Sequence, residues 1–100
     1  MNIKLNRSEL LSLRQLFVSR VEPLDPATSI DRLVVVLLKQ VYNRLWAKGP
    51  NPAPGSLKLS EAEAIAFWAF WTAQELPLTM MFEQNMLRQI NTKIHQTLQL

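Results

Sequence analysis

The sequence predicts an all-α domain of four helices, built as two duplicated helical hairpins. Three observations predict it. The segment Ile3-Lys4-Leu5-Asn6-Arg7-Ser8-Glu9-Leu10-Leu11 returns 54 positions later as Leu57-Lys58-Leu59-Ser60-Glu61-Ala62-Glu63-Ala64-Ile65. Apolar residues recur at helical spacing in four stretches. Proline-bearing breaks at Pro23 and Pro26, at Pro50 to Pro54 and at Pro77 separate those stretches.

The first copy opens a helix. Asn6 suits the N-cap, Glu9 three residues on completes a capping box, and Leu5 and Leu10 occupy the hydrophobic-staple positions. Leu10, Leu13, Leu16 and Phe17 form its core face, with Leu11 beside it. The helix is expected to fade near Arg20, because Pro23 restricts Glu22 to extended backbone.

Val21 to Ser29 reads as a loop, and Thr28 or Ser29 caps a second helix running to about Lys48. Its apolar positions are Ile30, Leu33, Val34, Leu37, Val41 and Leu45, and Val35, Val36, Leu38, Tyr42 and Trp46 broaden the stripe nearly all round. So little polar surface predicts the most buried element of the fold. The run Val34-Val35-Val36 would suit a strand, but the length and flanking charges favour helix. Gly49 stops the helix as a C′ residue, with Pro50 after it. The alternating prolines of 49–56 favour an extended polyproline-II connector between half-repeats 3–48 and 57–98 of one domain spanning 1–100.

The second copy starts a third helix with Ser60 as N-cap and Glu63 at N3, running to about Leu76 where Pro77 breaks the ladder. A fourth helix from about Met80 to Leu98 carries the stripe Phe82, Met86, Leu87, Ile90, Ile94 and Leu98. At an offset of 53, Leu33, Val34, Leu37, Val41 and Leu45 fall on Met86, Leu87, Ile90, Ile94 and Leu98. Two extended-segment-plus-hairpin units can then bury their apolar faces against each other with approximate two-fold symmetry. The segments Ile3–Leu5 and Leu57–Leu59 are expected to pair as a minimal two-stranded ladder resting on the helices.

Composition bounds the chemistry. A chain of 100 residues with 48 % apolar and 19 % charged content can bury a compact core. The absence of cysteine removes disulfides, thiolate nucleophiles and cysteine-based zinc sites. The N-terminus has no apolar signal region, and the longest apolar run, Ala64 to Trp71, is far short of the ~20 residues of a membrane span. A cytoplasmic protein with no membrane partner is the expectation. The net charge of +3 is spread along the chain, with no clustered basic stripe.

Aromatic residues dominate the third helix as Phe67, Trp68, Phe70 and Trp71. The first copy serves as a control: Phe67, Phe70 and Trp71 correspond to Leu13, Leu16 and Phe17, which places them in the core. Trp68 corresponds to Arg14, at the edge of the first helix, and shares an arc with Glu61, Thr72 and Glu75. Trp68, Arg14 and Trp46 therefore form the candidate interaction surface. Ala62, Ala66, Ala69 and Ala73 match the polar stripe Ser8, Ser12, Gln15 and Ser19, and read as exposed helix formers or as a close-approach face for a second copy.

Catalytic, cofactor and metal residues are assigned to none. His95 is the sole histidine and reads as a surface residue. Glu61 and Glu63, two apart on a helix, do not face each other and suit the positive helix N-terminus. Glu22 and Asp25 lie in a proline loop away from any histidine, and two glycines in total make no phosphate-binding loop. Nucleic-acid binding is the competing reading. Arg32, Lys39, Arg44 and Lys48 on the second helix, and Arg88 and Lys93 on the fourth, divide among faces in the way solubility requires.

The pattern x-K-L-(T/S/N)-x-x-E, present at Ile3–Glu9 and Leu57–Glu63, precedes an apolar helix, and a terminal amphipathic helix carries Asn91-Thr92-Lys93-Ile94-His95-Gln96. Together they resemble the short, uncharacterised all-helical proteins of Bacteroidetes genomes and their mobile elements. The resemblance implies a helical fold, assigns no activity and carries over no functional residue. The function expected is a small non-enzymatic protein-interaction or structural domain, with no cofactor, acting on a protein partner or as a homodimer. The alternative is a nucleic-acid-binding accessory or regulatory protein.

Overall fold

Two capping boxes set where the principal helices begin. In a computed structural model of the chain, which describes residues 1–27, 31–47, 49 and 53–99, Asn6 Oδ1 accepts from the Glu9 amide at 2.8 Å and Glu9 Oε1 accepts from the Asn6 amide at 2.9 Å. Ser60 and Glu63 repeat the exchange at 3.1 and 2.9 Å. Each box satisfies amides that a helix start leaves without a partner. The element order is β1 (Asn2–Leu5), α1 (Arg7–Arg20), α2 (Arg32–Trp46), β2 (Gly55–Lys58), α3 (Glu61–Ala73) and α4 (Met81–Leu98). The staple residues Leu5, Leu10, Leu59 and Ala64 are all buried, so both chain entries are fixed by packing as well as by capping.

The expected ladder forms, with longer strands. β1 and β2 pair antiparallel, with Ile3 opposite Leu57 and Leu5 opposite Gly55. Met1 and Leu59 extend it, since the Leu59 amide donates to the Met1 carbonyl at 2.9 Å and the Met1 nitrogen donates to the Leu59 carbonyl at 2.7 Å. A register centred on Ile3 and Leu57 needs partners on both sides, which draws Gly55 and Ser56 out of the expected connector and into β2. The remaining expectations for that connector at Pro50 to Pro52, for a cap at Thr28 or Ser29, for Ile30 on the core face and for Lys48 at the helix end lie outside the described residues.

α3 ends at Ala73, before the expected Leu76, because Gln74 turns extended (ψ 136°). The chain then runs on to Pro77 as a corner: Gln84 Nε2 donates to the carbonyls of Leu76 (3.2 Å) and Pro77 (2.8 Å), and the Met80 amide donates to Pro77 at 2.9 Å.

The core is shared by every element. It holds Ile3, Leu5, Leu10, Leu13, Leu16, Phe17, Leu38, Val41, Leu45, Leu57, Phe67, Trp71, Leu87, Ile90 and Ile94. Phe17 lies at its centre, with ring centroids 6.1 Å from Phe67 and 5.5 Å from Trp71. α3 is the hub, packed against both α2 and α4. Two expectations for α2 are corrected. Its buried face is Val35, Leu38, Val41 and Leu45, while Leu33 is 71 % exposed and Val36 and Trp46 are also exposed. An apolar sequence all round does not bury all round when α3 and α1 cover only one side.

The same burial pattern revises the internal alignment. The buried residues of α2 and α4 coincide at an offset of 49: Leu38 with Leu87, Val41 with Ile90, Leu45 with Ile94. Three of the five intervening pairs agree in type as well, Lys39 with Arg88, Gln40 with Gln89 and Arg44 with Lys93. The offset of 53 differs by four residues, about one helical turn, so it kept an apolar match while misplacing every neighbour. On α4, Phe82 is exposed rather than core, and on α3 only Ala66 of the alanine stripe is buried.

Candidate binding cleft between α3 and α4

The space between α1 and α2 and the space between α3 and α4 are filled differently. In the first, Phe17 meets Tyr42 edge-on at 6.4 Å and Tyr42 meets Trp46 at 6.3 Å. Arg14 is buried beneath them, 2 % exposed, its Nε and Nη2 donating to the Leu45 carbonyl at 3.1 and 2.7 Å and its guanidinium 4.9 Å from the Trp46 ring. This corrects the expectation of Arg14 as an exposed edge residue. A long cationic side chain reaches the C-terminal end of α2, where carbonyls lack partners and the helix dipole is negative.

Between α3 and α4 the facing side chains are smaller or more polar. In sequence, Asn91 aligns with Tyr42 and His95 with Trp46 at the offset of 49, and exposed Glu75 aligns with fully buried Val21 at the offset of 54. Trp68, which aligns with Arg14 in sequence, is half-buried. A cleft of about 670 Å³ results, with Trp68, Trp71, Glu75, Arg88, Asn91 and His95 in its lining. Two of the lining residues each carry an atom that is buried out of reach of solvent and has no hydrogen-bond partner: the donor Trp71 Nε1 and the acceptor Asn91 Oδ1. The other end of the Asn91 amide donates to Thr72 Oγ1 at 3.5 Å. Each unpaired buried polar atom costs about 1–3 kcal/mol of folding free energy, which an apolar residue at the same place would not.

Of the three residues expected to share a surface, Arg14 and Trp46 touch each other on the first hairpin and Trp68 lines the cleft of the second. His95 is exposed and lines the cleft together with Glu75. The buried carboxylate, Glu63, lies instead at the junction of α2 with β2 and α3. Arg44 grips it bidentately, Nη1 to Oε1 and Nη2 to Oε2 both at 2.9 Å, and also donates to the Lys58 carbonyl. Burial opposes ionisation of Glu63, but hydrogen bonds from Arg44 and from the Ser60 amide outweigh it and hold the carboxyl below its ordinary value. The hydrogen bond to Glu63 raises the Arg44 value in turn. Among the described residues, no group of three or more His, Asp or Glu side chains is placed to hold a metal ion.

No family model, curated protein or solved structure matches the chain.

Periodicity missed one feature beside the cleft. Leu78, at 87 % exposure, Met81 at 66 % and Phe82 at 49 % cluster at the α3–α4 corner. Leu78 borders the cleft, and neighbouring Met80 borders a smaller groove of about 360 Å³ against Leu11 and Leu16 of α1. The signal was present in the sequence as large apolar residues on both sides of a helix start, where a solvated corner ordinarily carries polar ones. Among the described residues, no helix is long and apolar enough to cross a membrane.

Proposed function

We propose that this chain is a non-enzymatic protein-interaction domain whose binding face is the α3–α4 corner. The exposure of Leu78, Met81 and Phe82, three large apolar side chains within five residues, carries the reading. Large apolar side chains exposed close together in this way mark interaction sites, and aromatic and methionine side chains are favoured anchors within them. The duplication supports a division of labour. Residues that match at the offset of 54 meet each other three times: Ile3 opposite Leu57, Phe17 against Trp71 at 5.5 Å, and Arg20 Nη1 donating to Gln74 Oε1 at 3.1 Å. On this reading an approximate two-fold axis runs through those pairs and relates the two hairpins. The first, closed by Arg14, Tyr42 and Trp46, is the structural half; the second, open and apolar at its corner, is the binding half.

The cations favour this reading over nucleic-acid binding. Arg44 is committed to Glu63, Lys39 Nζ donates to the Glu22 carbonyl at 2.8 Å, and Lys93 Nζ donates to the Asn2 carbonyl at 2.9 Å. These side chains tie helices to loops and strands of the same chain.

Sedimentation velocity and affinity enrichment test the proposal together. If the partner is a second copy, the wild type dimerises at high micromolar concentration and the double variant Leu78→Ser/Phe82→Ser does not. If the partner is another protein, the wild type enriches it from native lysate and the double variant loses it, while the remote control Arg32→Ala keeps it. A strictly monomeric chain whose enriched proteins are the same for wild type and double variant would sink the idea.

A further inference from the structure

We infer that Lys93 and Arg44 cap the two open edges of the β1–β2 ladder, and that the β1 edge, which Lys93 holds alone, is a latent interface for the β1 strand of a second copy. In an antiparallel pair, opposed residues alternate between exchanging both backbone hydrogen bonds and turning both groups outward. Met1 and Leu59 exchange both bonds, at 2.9 and 2.7 Å. One rung on, Asn2 and Lys58 therefore turn their backbone groups outward, one to each edge. Both outward carbonyls are occupied. Lys93 Nζ of α4 donates to the Asn2 carbonyl at 2.9 Å, and Arg44 Nη1 of α2 donates to the Lys58 carbonyl. A two-stranded ladder is all edge, and an edge is a template for further pairing. A cation seated on its outward carbonyl withdraws the acceptor that a new strand needs.

The two caps are held unequally. Arg44 is fixed from its other side by the bidentate bonds to Glu63, both at 2.9 Å. Lys93 is exposed, and among the described residues the Asn2 carbonyl is its one hydrogen-bond partner. The β1 edge is therefore the one that opens. The same alternation turns the backbone groups of Lys4 to that edge, two residues on from Asn2. The occupant that fits is β1 itself. Set antiparallel across a two-fold axis through Ile3, Asn2 of each copy faces Lys4 of the other, so the outward N–H and C=O of both residues find partners. The two Ile3 side chains then meet on the buried face of the ladder, while Lys4 stays on the exposed one. The Lys93 ammonium on the Asn2 acceptor, and repulsion between the diagonally placed Lys4 side chains, hold this pairing off. Pairing through β1 uses that edge in both copies and leaves the β2 edges, capped by Arg44. Assembly then stops at a closed dimer with a four-stranded sheet.

This interface is separate from the apolar corner, and the two proposals fail separately. The test uses the full chain carrying Leu78→Ser/Phe82→Ser, so that the corner contributes nothing. In that background Lys93→Arg, which keeps a cationic donor on the Asn2 carbonyl, should sediment as a monomer at high micromolar concentration. Lys93→Met should shift toward dimer as concentration rises. Lys4→Thr/Lys93→Met, which also removes the repulsion, should do so at lower concentration. Hydrogen exchange read by NMR locates the contact: the amide at position 4, outward and unprotected in the monomer, should become protected in the dimer. Lys93 is exposed, so its replacement should leave helicity intact. Should Lys93→Met nevertheless unfold, Lys93→Ala removes the same cap at a residue of high helix propensity and is held to the same outcome. The inference is overturned if the uncapped variants stay monomeric, or if Lys93→Arg dimerises equally well. It is also overturned if dimers form while the position-4 amide exchanges as fast as before, or if assembly grows past the dimer despite the Arg44 cap.

Discussion

Arg14 closes the C-terminal end of α2 by donating two hydrogen bonds to the Leu45 carbonyl while lying 4.9 Å from the ring of Trp46. The arrangement joins two elements far apart in sequence through one side chain. It also removes a helix-end carbonyl from the need for water. Because Arg14 is buried, truncation to methionine leaves that carbonyl without its donor. The expected loss is about 2–4 kcal/mol in urea unfolding. Arg14→Lys should recover little, since an ammonium cannot reproduce the planar fork. A loss below about 0.5 kcal/mol for Arg14→Met, the range of ordinary surface substitutions, would show that the bonds carry no weight.

Trp46 covers this pair from outside, being 42 % exposed. A double-mutant cycle of Arg14→Met with Trp46→Leu isolates the cation–ring term. Coupling of about 0.5–2 kcal/mol is expected, toward the upper end because the guanidinium is desolvated. Additive single effects would mean that Trp46 contributes area alone.

The Arg44–Glu63 pair makes stability depend on acid. Glu63 titrates below its ordinary 4.5 in the folded state. The unfolded chain therefore binds the proton more readily, and the stabilisation is complete above the unfolded value and drains away as pH falls through the folded one. Wild-type stability should decline below about pH 4.5 more steeply than that of Glu63→Gln. At neutral pH Arg44→Ala should cost about 1–3 kcal/mol, less than for a wholly buried pair because the Arg44 side chain is 41 % exposed while Glu63 is 3 %. Parallel acid limbs for wild type and Glu63→Gln in pH-dependent urea midpoints would refute the assignment.

The extent to which this fold was legible follows from which signals are local. Asn6 with Glu9 and Ser60 with Glu63 form capping boxes within four residues, so the sequence alone located the starts of α1 and α3. Matching to Leu13, Leu16 and Phe17 of the first copy places Phe67, Phe70 and Trp71 in the core; Phe67 and Trp71 are buried there, while Phe70, matched to buried Leu16, is only half-buried against the core's edge. The face of α2 was not legible, because apolar residues surround that helix and only the position of α3 selects which are covered. Arg14 was misjudged for a related reason: its partner, the Leu45 carbonyl, is a backbone group 31 residues away that no side-chain pattern announces. The cleft became visible once structure replaced the offset of 53 by 49, which set Asn91 against Tyr42 and His95 against Trp46.

The two caps test whether the duplicated starts are energetically alike. Asn6→Ala and Ser60→Ala should each cost about 1 kcal/mol. Ser60→Ala should exceed Asn6→Ala, because the carboxylate bonded to the Ser60 amide is also the one that Arg44 grips. Equal losses in chemical denaturation would mean that the ion pair tolerates a displaced cap.

Gly49 gives the cleanest separation of backbone from packing. Its φ of +84° lies in the left-handed region, and a Cβ added there would meet nothing within 4 Å. Its amide donates to the Trp46 carbonyl at 3.1 Å, so the conformation is held by the turn that follows α2. Any cost of substitution must then come from forcing a side-chain-bearing residue into positive φ, with no steric clash to add. Gly49→Ala should lower stability by about 1 kcal/mol and Gly49→Asn by less, since asparagine visits that region more readily. Thermal unfolding of the two variants decides the matter: equal losses would remove the conformational explanation, and a loss above about 2 kcal/mol for alanine would require contacts beyond the backbone.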